Sequence, residues 1–160
     1  MILNRNRKLF LVIVFQLPII FFGCRKPKNR ILAAVQEITN HAVVAKTRAV
    51  VIINHETCPT CNKKFADFMA YYLNNDKLLL VVAADENQLD ISQFQNGGKS
   101  IYFDTAGILA KQKLIKSSTV LMLSQNNSEV VDTTLSIDVK TQNQTIDYLK
   151  QAIDADFRKH

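Results

Sequence analysis

Cys58 and Cys61, separated by Pro59 and Thr60, are the residues of this chain whose type and spacing carry chemistry most directly. Two thiols one helical turn apart can be joined and parted. The thiolate of one attacks a foreign disulfide, and the other displaces the mixed bond that results. Such exchange needs no cofactor, and none is expected. What precedes the pair strengthens this reading, because Ala49-Val50-Val51-Ile52-Ile53 is an apolar run ending just ahead of Cys58. A cysteine delivered by a strand to the start of a helix meets backbone N–H groups without partners and the positive end of the macrodipole, which favour thiolate over thiol. Cys58 gains most from that place. Pro59 suits the first turn, where its missing N–H costs little. The same motif also serves as a static bridge or as half of a metal site. For the metal alternative, His55, Cys58 and Cys61 offer three soft or borderline ligands, while His41 and His160 lie far off in sequence and no fourth ligand is evident.

Charged neighbours can tune the pair. His55, when protonated, lowers the pKa of Cys58, and Lys63 and Lys64 add a field of the same sign, whereas Glu56 opposes them. Each also has a plainer reading: a loop histidine and solvated lysines on a first helical turn. Asp85 and Asp104 fall at strand ends, where a turn-forming role is the simplest one.

The elements that must position these groups are legible from periodicity. Ile31, Val35, Ile38, Ala42 and Ala45 recur at helical spacing and predict an amphipathic helix over 29–46. A strand follows over 48–54. Beyond the cysteines, Phe65, Phe68, Met69, Tyr72 and Leu73 share one helical face, with a stop at Asn74-Asn75-Asp76. Leu78 to Ala84 reads as a strand covered on both faces. Asp85 to Gln95 is expected to be a short helix or loop, with a turn at Gly97-Gly98 before a strand over 100–103. A short helix is expected over 109–115. Strands over 119–123 and 129–133 flank the polar stretch Ser124-Gln125-Asn126-Asn127-Ser128 and predict an antiparallel hairpin. From Lys140 onward, Ile146, Leu149, Ile153 and Phe157 mark a closing helix.

At the N-terminus, Arg5, Arg7 and Lys8 precede a run from Leu9 to Phe22 interrupted only by Gln16 and Pro18, then Gly23-Cys24. This reads as an export signal. Its apolar core is short of the about 20 residues a membrane span needs. A small residue directly before cysteine resembles the cleavage box of bacterial lipoproteins, which makes Cys24 the expected lipid-modified N-terminus, although Phe21 and Phe22 depart from that box. The alternative is an uncleaved signal anchor, and in either case the chain is expected to hang from a membrane. With Cys24 assigned to lipid, Cys58 and Cys61 are the remaining thiols, in a compartment where thiol pairs become oxidised unless kept reduced. About 137 residues follow the signal, enough for one domain with a single core. Of the formal charge of +6, three charges belong to Arg5, Arg7 and Lys8, and no dense basic stripe or tryptophan points to nucleic acid. Arg25, Lys26, Lys28 and Arg30 would lie near lipid headgroups or form a solvated tether.

The element order, with Cys58-Pro59-Thr60-Cys61 at the first strand–helix junction, resembles the thioredoxin fold. The stretch Tyr102-Phe103-Asp104-Thr105-Ala106-Gly107-Ile108-Leu109-Ala110, followed by Ser118-Thr119-Val120-Leu121-Met122-Leu123, resembles more narrowly the membrane-anchored TlpA and ResA group. The resemblance implies an α/β fold with a central mixed sheet flanked by helices and a C-terminal β-hairpin and helix. It also implies a signal peptide over 1–23, a tether and leading helix over 24–46, and a thioredoxin-like domain over 47–160. The implied activity is dithiol–disulfide exchange with envelope proteins by a monomer facing the periplasm, with Cys58 attacking and Cys61 resolving through a Cys58–Cys61 disulfide. Three positions depart from the family. Thr57 stands where the group has tryptophan, and Ile52 stands where thioredoxin has a buried carboxylate, which leaves deprotonation of Cys61 to Glu56 or water. Ser118 stands where the fold has a cis-proline. A cis bond there would cost about 2.5 to 4 kcal/mol. Ser118 and Thr119 are expected either to hydrogen-bond a bound peptide or simply to fill the proline's place.

Overall fold

The five apolar residues of Ala49–Asn54 (β1) that precede its last position are buried on both faces, which requires a neighbouring strand on each edge and a helical layer above and below. The computed structural model, which describes residues 29–43, 45–72, 74–83 and 101–154, supplies all four. Leu78–Ala83 (β2) runs parallel to β1 in the register Ala49↔Leu78 to Asn54↔Ala83. A parallel pair needs a crossover, and Pro59–Tyr71 (α2) provides it. Ile101–Phe103 (β3) pairs parallel with the outer edge of β2. On the other side of β1, Thr119–Leu123 (β4) runs antiparallel with Ile52 opposite Thr119, and Val131–Ser136 (β5) pairs antiparallel with β4. The sheet order is β3-β2-β1-β4-β5, a mixed sheet with a C-terminal hairpin and a closing helix, Gln142–Asp154 (α4). This is the thioredoxin-like α/β arrangement.

Alternation along β1 and β2 sends side chains to two cores. Val51, Ile53, Leu78, Leu80 and Val82 pack with Cys61, Phe65 and Met69 of α2 and with Leu149 and Ile153 of α4. Val50, Ile52, Leu79 and Val81 pack on the opposite face, with Leu32 and Val35 of Arg30–Ile38 (α1) and Leu109 of Ile108–Lys111 (α3). Each fully buried aliphatic side chain contributes about 1.5 to 3 kcal/mol through the water it no longer meets.

Element boundaries differ from the periodicity where side chains and backbone make their own stops. The helix expected over 29–46 ends at Ile38, because Asn40 adopts a left-handed φ of 48° and the His41 N–H reaches back to Gln36 O at 2.8 Å. That closure satisfies the last carbonyls and turns the chain away. The second strand of the hairpin lies two residues later than expected, at Val131–Ser136, with an irregularity between Met122 and Leu123. The short helix before β4 spans only Ile108–Lys111 and starts at Gly107, whose φ of 64° is one that glycine adopts without strain. The segments predicted over 85–95 and at Gly97-Gly98, together with Phe157, lie outside the described residues. So do the signal region over 1–23, most of the tether and Cys24. Among the described residues, no helix is long and apolar enough to cross a membrane.

Candidate functional site

The strand-to-helix junction after β1 places Cys58 as the residue that caps α2, with Pro59 in its first turn. The Cys61 N–H donates to Cys58 Sγ at 3.3 Å, so the sulfur takes the place that an oxygen usually holds at a helix start. The two cysteines form a disulfide, their Cα atoms 5.3 Å apart, inside the range such a bridge requires. Their surroundings are unequal. Cys61 is 0% exposed among Val51, Ile53 and Phe65, whereas Cys58 is half-buried and Pro59 and Thr60 beside it are open to solvent. An incoming sulfur can reach Cys58 and cannot reach Cys61. No acidic residue sits in the first turn of α2 to oppose a negative charge on the cap.

Beneath the junction lies a cluster of four polar residues: Asn54, Thr57 and Asn62 from the strand–loop–helix stretch, and Ser118 from the loop before β4. Ser118 Oγ donates to Asn62 Oδ1 at 2.6 Å and accepts the Asn54 N–H at 2.9 Å. Asn62 Nδ2 donates to Asn54 O at 2.9 Å and to Thr57 O at 3.0 Å. Thr57 Oγ1 donates to Asn54 O at 2.9 Å and accepts the Ser118 N–H at 3.3 Å. The Ser118 carbonyl takes the Ile137 N–H at 2.8 Å, so every polar group of Ser118 is used inside the fold. No peptide bond among the described residues is cis, and the bond into Ser118 is therefore trans.

The residues singled out from sequence divide accordingly. Cys58, Cys61, Thr57 and Ser118 come together. Ser118 is 1% exposed and Thr119 is buried at the head of β4, its hydroxyl donating to Ser117 O at 2.9 Å; neither side chain faces outward. Glu56 is exposed, and its N–H donates to Asn54 Oδ1. His55 turns to the other side, its Nδ1 3.1 Å from Ala83 O, and it lines a cavity of about 350 Å³ with Asp104, Gly107 and Lys111, a cavity that neither cysteine borders. Among the described residues, no three His, Cys, Asp or Glu side chains group closely enough to hold a metal ion. Lys64 is drawn to α4, donating to Asn143 Oδ1 at 2.9 Å, and Lys63 is exposed.

One sequence correspondence changes in the structure. Ile52 packs in the core shared with α1 and α3, while the strand residues on the cysteine face are Val51 and Ile53. Among the described residues, no carboxylate stands beneath the pair by either count. Asp104 is the buried carboxylate of the described residues, and both of its oxygens are occupied: Oδ1 takes the Ile108 N–H at 2.7 Å and Oδ2 the Leu109 N–H at 2.8 Å, which starts α3. Its turn-forming role is the one the structure shows. Asn62 escaped sequence reading although a signal was present, since it is a polar residue at i−3 from Phe65 and i+1 from Cys61, on the stripe that should be apolar.

No family model matches this sequence and no curated protein is similar to it. Among solved structures, a conserved protein of unknown function from Bacteroides fragilis overlaps it with a TM-score of 0.37 and 16% identity, covering 66% of this chain and 82% of that one. The pneumococcal exposed lipoprotein thioredoxin of Streptococcus pneumoniae overlaps with a TM-score of 0.34 and 15% identity, covering 65% and 87% respectively. Both overlaps are loose, and nothing about activity passes from them to this chain. The thioredoxin-like fold rests on the strand order, the parallel crossover through α2 and the antiparallel hairpin.

Proposed function

We propose that this chain is an exported thiol–disulfide oxidoreductase of the TlpA and ResA kind, anchored through lipid at Cys24 and exchanging electrons with envelope proteins. The observation that carries the exchange reading is the asymmetry of the bridge: Cys58 is accessible and caps a 13-residue helix, and Cys61 is sealed behind it. In the reduced protein, the Cys58 thiolate attacks one sulfur of a partner disulfide, forming a mixed disulfide and releasing the partner's other sulfur as thiolate. Cys61 then loses its proton to water and attacks Cys58. The internal bridge forms again, the partner leaves as a dithiol, and this chain has given up two electrons. The reverse sequence oxidises a partner dithiol. The partner meets the rim beside Thr57, Pro59 and Thr60, next to the loop that ends at Ser118. The Asp104 turn and short α3 ahead of β4 support the narrower TlpA and ResA likeness.

Replacing Cys61 with serine should trap partners as mixed disulfides on Cys58, recoverable after acid quenching and identified by mass spectrometry. Recovery of no Cys58-linked protein from intact cells, together with no insulin-disulfide reduction by the purified domain, would remove the exchange reading. Radiolabelled palmitate incorporation that disappears in Cys24→Ser tests the anchor separately.

A further inference from the structure

We propose that Asn62 is a positioning residue for Cys58: through its buried amide it fixes the Cys58 sulfur against the start of α2 and so sets how much of the reduced protein carries a thiolate there. The proposal takes its purpose from the exchange reading above, and its geometry stands apart from it. Asn62 is 3% exposed, and both polar atoms of its side chain have partners. Both Nδ2 hydrogens go to main-chain carbonyls, those of Asn54 and Thr57, which bracket the loop delivering Cys58. Since carbonyls only accept, the amide has one possible orientation, and Oδ1 is left to receive the Ser118 hydroxyl. The Asn62 N–H also donates to Cys58 O at 3.0 Å. One residue, adjacent to the sealed Cys61, therefore ties together the incoming loop, the main chain of Cys58 and the loop before β4.

The thiolate at Cys58 depends on its distance from the free N–H groups of α2, the Cys61 N–H above all. A loop released from Asn62 can drift from the helix start while α2 and the sheet stay folded. The charged groups around the junction would not change with residue 62. His55 is bonded to Ala83, Glu56 and Lys63 are exposed, Lys64 is bonded to Asn143, and Asp104 is bonded to α3. A shift in the titration of Cys58 on changing Asn62 thus reports the position of the sulfur.

The test is the pH dependence of iodoacetamide alkylation at Cys58 in the fully reduced protein, with the modified residue located by mass spectrometry. Asn62→Ala should raise the midpoint by about one pH unit, which is about tenfold slower alkylation at a fixed pH below it. Ser118→Ala, which removes the hydroxyl that bonds Asn62 Oδ1 and takes the Asn54 N–H but leaves both carbonyl contacts of Asn62, should move it the same way by about threefold in rate. Phe68→Leu, a core change on α2 away from the junction, should lower the melting temperature without moving the midpoint. An unchanged midpoint in folded Asn62→Ala overturns the proposal; if that variant does not fold, an unchanged midpoint in Ser118→Ala does so. Insulin-disulfide turnover by the wild-type domain separates the two readings. A shifted midpoint with neither turnover nor a trapped partner sinks the exchange function and keeps the role of Asn62, and turnover with no shift does the opposite.

Discussion

The starts of α2 and α3 solve one physical problem with different atoms. Both helices leave N–H groups with no partner in the first turn. At α3, both oxygens of the Asp104 carboxylate receive them at 2.7 and 2.8 Å, in a buried site. At α2 the acceptor is the Cys58 sulfur at 3.3 Å, a weak acceptor while it is bonded to Cys61. Reduction changes only the second. A thiolate at Cys58 becomes a charged acceptor for the same N–H, whereas Asp104 stays as it is. A permanent cap holds structure, and a cap whose charge depends on oxidation state links helix to chemistry.

The sharpest break of this contrast is Cys58→Ser. Insulin-disulfide reduction by the purified domain should fall to background, with a stability loss in urea of no more than about 2 kcal/mol, because the bridge closes a very short loop. Activity retained in that variant would mean that the sulfur at the α2 start is not the reacting one. Asp104→Ala should show the opposite pattern. Two buried N–H groups lose their partners, so about 3 kcal/mol of stability should go, while the alkylation rate of Cys58 stays at the wild-type value. Coupled loss of both would show that the two caps are not independent. Asn29 caps α1 through Oδ1 to the N–H groups of Ile31 and Leu32, a neutral and less buried version of the same device. Asn29→Ala should cost about 1 kcal/mol, read as a lower midpoint in urea.

The smallest effect is expected ahead of α4. The N–H groups of Thr141 and then Lys140 hold the Asp138 carboxyl below its ordinary pKa. A folded pKa below the unfolded one gives stability that is complete above the unfolded value, about 3.9, and fades as pH falls through the folded one. Asp138→Asn should lower the melting temperature slightly at pH 7 and flatten its fall below about pH 4, so that the two proteins converge in acid, as calorimetry across that range can show. An identical acid profile in the variant would place the acid sensitivity elsewhere.

Much of this fold was legible because both-face burial writes itself as unbroken apolar runs, as in Val50 to Ile53 and Leu78 to Val82. The cysteine junction was legible too, since the end of such a run and a proline in the next turn bracket it. The end of α1 was not. Ala42 and Ala45 continue the helical spacing, and only the left-handed turn at Asn40, a backbone choice, overrides it. The polar cluster was hidden for a different reason. Asn54, Thr57 and Asn62 are near neighbours in the chain, but Ser118 joins them only once β4 lies beside β1, and no local spacing announces a contact between residues that far apart. Ser118 was noticed as a missing proline; its tie to Asn62 required the topology.

The late insertion of β4 has a consequence for how the molecule must be made. In chain order β2 follows β1 closely, but the other edge of β1 has no strand to pair with until Thr119–Leu123 arrives, and the apolar faces of both strands need helices from either end of the chain. During synthesis, this half-sheet is a sticky platform whose hazard grows with waiting time rather than with final stability. A chain released early, ahead of Thr119, should pellet instead of remaining dispersed, and a cell making this protein must shield it until the last quarter has been delivered.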